Sequence, residues 1–207
     1  MSQGSAAKSP FEFLAGNPGL DFANTVNSRS AAHPEELLTD YCRLLQWGEE
    51  AGVITKKTAE RLSAAGQVAP GRAQASLRNA IVLRDAIYDV FSAAAQRQSA
   101  PGAQLAVLNQ AICDASKHRQ IVYDHQQFTW EWICPDGSFD SVLWPVARAA
   151  VDLLTSEELT YVRLCAADTC RWLFLDTTKN HRRRWCEMKT CGNRSKAKRY
   201  YRRQRAD

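Results

Sequence analysis

The sequence lacks the patterns that mark membrane proteins and secreted proteins. Its 207 residues contain no uninterrupted apolar run of about 18 or more, which a membrane-spanning helix requires. No charged segment followed by an apolar stretch and a cleavage site opens the chain, and its seven cysteines are an odd number. A secreted disulfide scaffold is therefore not expected. These absences predict a soluble protein without a membrane partner, located in a reduced cytoplasm.

Signatures of catalysis are also missing. The sequence has no glycine loop of the kind that cradles phosphate. His33, His118 and His125 follow neither the arrangement of a Ser/His/Asp triad nor a metal-ligand spacing. The sequence therefore predicts a binding protein and not an enzyme. One alternative stays open, an enzyme that uses a pocket in the N-terminal part of the chain.

Four of the seven cysteines lie in the last fifth of the chain. Cys165 and Cys170 form one Cys-x4-Cys pair, and Cys186 and Cys191 form a second pair after fifteen intervening residues. Zinc favours four thiolates in a tetrahedron, and two short loops joined by a hairpin supply them at low chain-closure cost. Buried thiols without a metal, or a site in which His181 replaces one cysteine, are the alternatives. We favour one structural Zn²⁺ on all four cysteines, and we expect the other three, Cys42, Cys113 and Cys134, to be packed hydrophobically.

Positive charge is concentrated around these four cysteines. From Tyr161 onward there are fourteen Lys and Arg against four Asp and Glu, about +10, while the preceding residues carry about −5. A basic tail on an acidic body is typical of a polyanion-binding module attached to a folded domain. The residues expected to contact nucleic acid are Arg182, Arg183, Arg184, Arg194, Lys196, Lys198, Arg199, Arg202, Arg203 and Arg205.

The last helix is expected to present one basic face. Helical spacing gives Ser195, Lys198, Arg199, Arg202 and Arg205 a common direction, and their mutual repulsion would be relieved by a polyphosphate partner. Two other interpretations remain. The face can simply be solvated, or residues such as Arg194 can turn inward to balance the negative charge of four zinc-bound thiolates.

Two segments resemble known families. The segment RRWCEMKTCGNRSKAKRYYRRQR, from Arg183 to Arg205, together with Leu173–Thr177, resembles the CGNR zinc fingers at the C-terminus of bacterial proteins. Gly16–Thr25, which reads GNPGLDFANT, and Pro145–Thr155 resemble the opening and closing segments of the ABATE domain. The name of that family records a role in stress-induced transcription regulation. The resemblance implies a bacterial regulator of transcription that binds double-stranded DNA.

The fold class that we predict is mainly α with a small β hairpin. An α-rich N-terminal domain is expected over residues 11–160, after a disordered leader over residues 1–10. A treble-clef-like four-cysteine zinc module is expected over residues 161–207, with its last helix beginning just after Cys191. Hydrophobic periodicity predicts helices over 35–47, 72–97 and 139–154, and a hairpin that pairs 120–123 with 128–133.

The role of the N-terminal domain is the least defined part of the sequence. Asp21, Asn24 and Thr25 are candidates for a small-molecule effector site, although Asp21 can instead cap a short helix while the other two satisfy nearby backbone groups. A homodimer is expected because one finger with a short helix covers few base pairs. The rival interpretation is a protein-interaction adaptor whose zinc module docks on an acidic protein.

Overall fold

The computed structural model describes residues 9–135 and 137–205, so the predicted leader lies outside the described residues except for its last two positions. The described residues are mainly helical, as predicted, and they also form three small antiparallel strand pairs. The helices are α1 Pro18–Ala23, α2 Tyr41–Glu50, α3 Lys56–Val68, α4 Pro70–Ala95, α5 Gly102–Ser116, α6 Leu143–Leu154 and α7 Asn193–Gln204. The strand pairs are β1 Val26–Asn27 with β2 Glu35–Glu36, β3 Arg119–Asp124 with β4 Gln127–Trp132, and β5 Val162–Leu164 with β6 Leu173–Leu175.

Helix α4 is the central element of the core. It packs against α1, α2, α5 and β5, and it buries Leu77, Ile87 and Phe91 along one face. Arg84 interrupts this apolar face and is itself buried. Its Nη1 lies 2.6 and 2.7 Å from the two carboxylate oxygens of Glu36, which satisfies the charge where it is shielded from water.

The helix predicted over 35–47 is wrong at its start. Glu35 and Glu36 form β2, and α2 begins only at Tyr41, after Asp40, whose carboxylate accepts a hydrogen bond of 2.8 Å from the Arg43 N–H. The Leu37 N–H donates to the Thr25 carbonyl at 3.1 Å. Backbone pairing to the segment after α1 therefore competes successfully with helix formation here, and the side-chain cap sets the true start.

The predicted hairpin is confirmed as β3–β4, joined by His125 and Gln126, which both have positive φ as a type I′ turn requires. Ile121 faces Trp130 and Tyr123 faces Phe128 across the two strands. These four side chains share one face of the hairpin, and their exposed fractions lie between 56% and 76%. The hairpin therefore presents an uncovered apolar face.

One core extends across residue 160. Val162, Leu173 and Leu175 pack in the same buried cluster as the helices, whereas Trp172, Phe174 and the four C-terminal cysteines form a second, smaller cluster. The division into domains 11–160 and 161–207 stays a prediction.

Within the described residues, no helix is both long and apolar enough to cross a membrane. Cys42 and Cys113 are exposed, so the expectation that they are packed was wrong.

Candidate metal centre and basic helix

The four C-terminal cysteines converge in the structure. The Sγ atoms of Cys165, Cys170, Cys186 and Cys191 all lie within 4.8 Å of one another, and all four residues are buried. Two of the Sγ–Sγ distances are 3.7 Å, for Cys170 to Cys186, and 3.6 Å, for Cys186 to Cys191. A tetrahedral zinc ion with Zn–S bonds of about 2.3 Å requires S–S edges of about 3.8 Å. These two distances match the edges of such a tetrahedron, and the four sulfurs are close enough together to share one zinc ion.

Local structure explains how the cysteines meet. Cys165 follows β5 and Cys170 precedes β6, so the first pair lies in the loop of a hairpin, and the Cys165 N–H donates to the Trp172 carbonyl at 2.8 Å. Cys191 lies in a single π-helical turn, Met188–Gly192, that leads directly into α7. This order of loop, hairpin and helix is the predicted treble-clef arrangement. The hairpin differs from the expectation in one respect, because its strands flank the first cysteine loop and do not follow it.

The electrostatics of the cluster call for a cation. Hydrogen bonds from Cys170 and Cys186 lower the pKa of the Cys165 thiol to about 2. The pKa of Cys170 is raised to about 12, first because its thiol donates a hydrogen bond to Cys165. The Cys186 thiol also hydrogen-bonds to Cys165, and this bond is the first cause of its raised pKa. Without a metal, Cys165 is therefore the preferred thiolate over Cys170 and Cys186. A divalent cation is the group that stabilises all four thiolates at this distance.

Arg183 holds the loop that carries Cys186. Its Nε donates to the Trp185 carbonyl at 2.9 Å, its Nη2 contacts the Cys186 carbonyl, and its guanidinium lies 4.6 Å from the ring centre of Phe174. The buried Asp176 accepts a hydrogen bond from the Arg183 N–H at 2.8 Å. The sequence analysis placed Arg183 with the nucleic-acid contacts. In the structure its guanidinium instead binds the loop that carries Cys186.

Asp176 organises the segment before this loop. Burial alone would raise the pKa of its carboxyl, but hydrogen bonds from the hydroxyl and N–H of Thr178 and from the Arg183 N–H outweigh burial and lower that pKa. Sequence reasoning noted Asp176 only as part of a family pattern. The signal that could have identified it is an Asp–Thr–Thr run, since Asp commonly accepts hydrogen bonds from residues that follow it in a turn.

The other basic residues predicted to contact nucleic acid lie on the surface. These exposed residues are Arg182, Arg184, Arg194, Lys196, Lys198, Arg199, Arg202, Arg203 and Arg205. Lys198 forms an ion pair with Asp168 in the first cysteine loop, and the Arg184 guanidinium lies 5.3 Å from the Trp185 ring centre. Tyr200 and Tyr201 are exposed as well, on the same helix. The surface of α7 is therefore strongly cationic and open to a large partner.

One of the candidate effector residues, Asn24, lies against the zinc module. The Asn24 Nδ2 donates to the Leu173 carbonyl at 2.8 Å, and its Oδ1 accepts from the Leu173 N–H at 2.9 Å. The Thr25 hydroxyl donates to the Phe22 carbonyl at 2.8 Å. Both side chains thus have partners within the protein, on the free edge of β6 and at the end of α1.

Asp21 does not cap α1, because that role belongs to Asn17, whose Oδ1 accepts from the Gly19 N–H at 2.8 Å. The Asp21 carboxylate accepts instead from the Ala15 N–H at 2.9 Å. Burial raises the pKa of Asp21 to about 6, against the opposing effect of backbone hydrogen bonds. Asp21, Asn24 and Thr25 do not line the cavity of about 820 Å³ among α4, α5 and α6, so the prediction of an effector site at these residues gains no support from it.

More contacts join the N-terminal part to β6 and the loop before it. The Trp172 Nε1 donates to the Val26 carbonyl at 2.8 Å, and the Tyr88 hydroxyl donates to the Arg171 carbonyl at 3.0 Å. Backbone bonds join residues 30 to 169 and 175 to 15. No local pattern in the sequence indicates these pairings, which span more than 80 residues.

Two family models match separate parts of the chain. Residues 16–157 match the family model ABATE, described as "Putative stress-induced transcription regulator". The chain belongs to the ABATE family. Residues 161–204 match the CGNR zinc finger, and with its four close cysteines the ABATE chain carries a single zinc site there. No curated protein matched the sequence. The segment GNPGLDFANT lies at the start of the ABATE match, and its Asn24 binds strand β6 in the zinc-finger match.

Proposed function

We propose that this ABATE chain is a cytoplasmic, bacterial transcription regulator that binds double-stranded DNA through α7, and that it is not an enzyme. The observation that carries the proposal is the position of α7, whose basic side chains are exposed on a helix that begins two residues after the zinc-cluster residue Cys191. Under this proposal Cys165, Cys170, Cys186 and Cys191 ligate one structural Zn²⁺.

The metal has a structural task because the small cluster around it has few apolar residues. Apart from the cysteines, its buried members are Ala167, Trp172 and Phe174. A core of that size cannot hold two loops and a charged helix in place, whereas zinc binding to thiolates contributes folding free energy directly. The zinc ion would therefore fix the direction in which α7 leaves the body.

The dimensions and charge of α7 suit duplex DNA. Its 12 residues make a rod about 18 Å long, and an α-helix fits the major groove. Phosphate neutralisation by Lys and Arg releases counterions, so affinity should fall steeply as salt rises. Arg199 and Arg202 lie in the middle of the basic face and are the side chains that we expect to contribute most. Arg183 would act indirectly, through the loop of Cys186.

The first test is selection of fragments from a random duplex pool by the full-length, zinc-loaded chain. The proposal expects an enriched sequence and salt-dependent binding. Charge reversal of Arg199 and Arg202 to Glu should weaken that binding at least tenfold. Lys56→Glu with Lys57→Glu, which makes the same charge change in α3, is the matched control and should have a much smaller effect. Absence of duplex binding at low salt would instead favour the protein-interaction adaptor.

A homodimer is the second part of the proposal, and the apolar face of β3–β4 is the observation that favours it. Ile121, Tyr123, Phe128 and Trp130 are uncovered on one face, and a two-stranded hairpin is marginal without something packed against it. The cation on this face, Arg119, lies over Trp130 at 4.4 Å. An exposed apolar face of this kind can pack against a copy of itself across a two-fold axis.

The area is consistent with a modest dimer. Three aromatic side chains, each more than half exposed, would cover about 400 Å² per protomer and about 800 Å² in total, before Ile121 and flanking groups are added. Phe128→Lys should therefore lower the mass measured by sedimentation at micromolar concentration. Thr129→Lys, on the opposite face of the same strand, should leave the mass unchanged. A monomer in the wild type across this range would contradict the dimer.

For a small-molecule effector we propose the cavity of about 820 Å³, in place of the Asp21 cluster. It lies among α4, α5 and the start of α6, and its lining includes Asn79, Asp140 and Trp144. The Asp140 Oδ1 is buried without a hydrogen-bond partner among the described residues, so it offers a free acceptor. In a fragment screen by nuclear magnetic resonance, Ala111→Phe should abolish binding of cavity ligands, whereas Thr25→Ser should not.

A further inference from the structure

A small basic cleft separates the first cysteine loop from α7. Its volume is about 240 Å³, and its walls include four cations, Arg184, Lys198, Arg199 and Arg202. Trp185 closes one side. Among the described residues that line it, Asp168 is the only acidic one. The cleft thus brings together one loop and one helix of the zinc finger with a large excess of positive charge.

Asp168 already pairs with one of these four cations. Its carboxylate contacts the Lys198 ammonium, and both side chains are more than half exposed. An exposed ion pair adds little to the stability of a fold, because water screens it and its side chains lose freedom in forming it. The contact is therefore easily exchanged for another anion, and stability alone does not account for an acid placed within four cations.

We propose that the cleft binds a phosphate of the DNA backbone and that Asp168 takes the place of this phosphate on Lys198 in the free protein. Carboxylate and phosphate oxygens accept the same hydrogen bonds from an ammonium group. Binding of DNA must displace Asp168 from Lys198 and then tolerate its negative charge beside the phosphate. Asp168 therefore acts as a built-in competitor that lowers affinity for DNA, and the inference rests on the DNA-binding function proposed above.

Removal of the competitor has a defined consequence. Asp168→Asn should tighten binding of the full-length, zinc-loaded chain to a 20-base-pair duplex by about fivefold at low salt. The slope of log affinity against log salt should also steepen, because the displaced Asp168 carboxylate of the wild type takes up a cation that offsets part of the counterion release. Glu158→Gln, which removes one exposed negative charge outside the cleft, is the matched control and should change neither quantity.

Substitution of Lys198 tests whether Asp168 lowers DNA affinity through its contact with this ammonium group. Lys198→Gln should weaken binding more in the Asp168→Asn background than in the wild type, because only there is the ammonium free of its competitor. Metal content near one zinc per chain verifies that each variant is folded, and Asp168→Ser repeats the test with a second side chain. Inorganic phosphate, titrated at constant ionic strength, should not saturate the cleft below about 10 mM, since one phosphate lacks the remaining contacts of a duplex.

The outcomes separate the two proposals. If the duplex binds but Asp168→Asn and Asp168→Ser behave like Glu158→Gln, the cleft is not the phosphate site and the competitor is refuted while DNA binding stands. Saturable binding of inorganic phosphate would make free phosphate the ligand and would also refute it. If the wild type and every variant fail to bind the duplex, both the function and the cleft are refuted.

Discussion

Asn24 pairs with Leu173 as a strand would, through one donated and one accepted hydrogen bond of 2.8 and 2.9 Å to its backbone. The two residues are 149 positions apart, and both are buried. Leu173 lies in β6, whose one edge pairs with β5 and whose other edge is open to Asn24. The segment at the start of the ABATE match therefore extends the strand pair whose loop carries the first two zinc-cluster cysteines.

Replacing Asn24 should destabilise the whole chain. Asn24→Ala leaves the N–H and carbonyl of Leu173 buried without partners, at a cost of about 1–3 kcal/mol for each group. Urea unfolding should show that the free energy of unfolding of Asn24→Ala is lower than that of the wild type by at least about 2 kcal/mol. Asn27→Ala, which removes only an exposed hydrogen bond to Glu35, is the control and should lose less than about 0.5 kcal/mol. Equal stability of the two variants would mean that the Asn24 pairing contributes little.

Gly19 is required by close packing of α1 on α6. A Cβ added at Gly19 would lie 2.8 Å from the Cβ and 2.9 Å from the Cα of Ala150, too close for ordinary contact. Because backbone must move, Gly19→Ala should destabilise the fold by about 1–3 kcal/mol. Gly71→Ala in α4 meets nothing within 4 Å and should be neutral or stabilising by about 0.5 kcal/mol. Thermal melting of the two variants distinguishes crowding at α1 from a general effect of alanine.

Asp21 makes stability depend on pH in a predictable direction. Burial raises its pKa to about 6 in the folded chain, above the ordinary value of 3.8, so the folded state binds the proton more tightly. The free energy of unfolding therefore falls as pH rises from about 4 to about 6 and stays lower above that range. Asp21→Asn cannot titrate, and its Oδ1 can still accept from the Ala15 N–H.

The stability of Asp21→Asn relative to the wild type should therefore rise by about 1.4 kcal/mol between pH 5 and pH 7.5. Urea unfolding of both proteins at the two pH values measures it, and the zinc contribution cancels because both chains share the site. Asp152→Asn, at an exposed ion pair with Arg148, should show no such trend. A pH-independent difference for Asp21→Asn would contradict a raised pKa.

Local sequence patterns predicted the metal cluster and the β3–β4 hairpin. Cysteine spacing predicted the metal cluster, since Cys165 and Cys170 are near in sequence and need only one further pair to complete a tetrahedron. Alternating aromatic residues around a short turn carried the second, because both strands are adjacent in the chain. Where neighbouring residues determine the structure, the sequence was sufficient.

Long-range pairing set the limits of prediction. The segment at Glu35 carries a helical pattern, yet backbone bonds to the residues after α1 hold it extended. Asn24 was a candidate ligand for an effector because nothing in the sequence indicates Leu173 as its partner. Arg183 sits in a basic run like its neighbours, and only its contacts with the carbonyls of Trp185 and Cys186 distinguish it. In each case the deciding partner is set by tertiary contacts or by local geometry that a residue pattern does not encode.

The most direct test of the account measures zinc content and duplex affinity in the same full-length samples before chelation, after chelation and after addition of one equivalent of Zn²⁺. The account predicts about one zinc per chain, a loss of affinity of at least tenfold when zinc is removed, and recovery when it is restored, because the metal fixes the direction of α7. Cys186→Ser should behave like the chelated protein, and Cys42→Ser, at an exposed cysteine outside the cluster, should behave like the wild type. Duplex affinity that is unchanged by zinc removal, or by Cys186→Ser, would contradict the account.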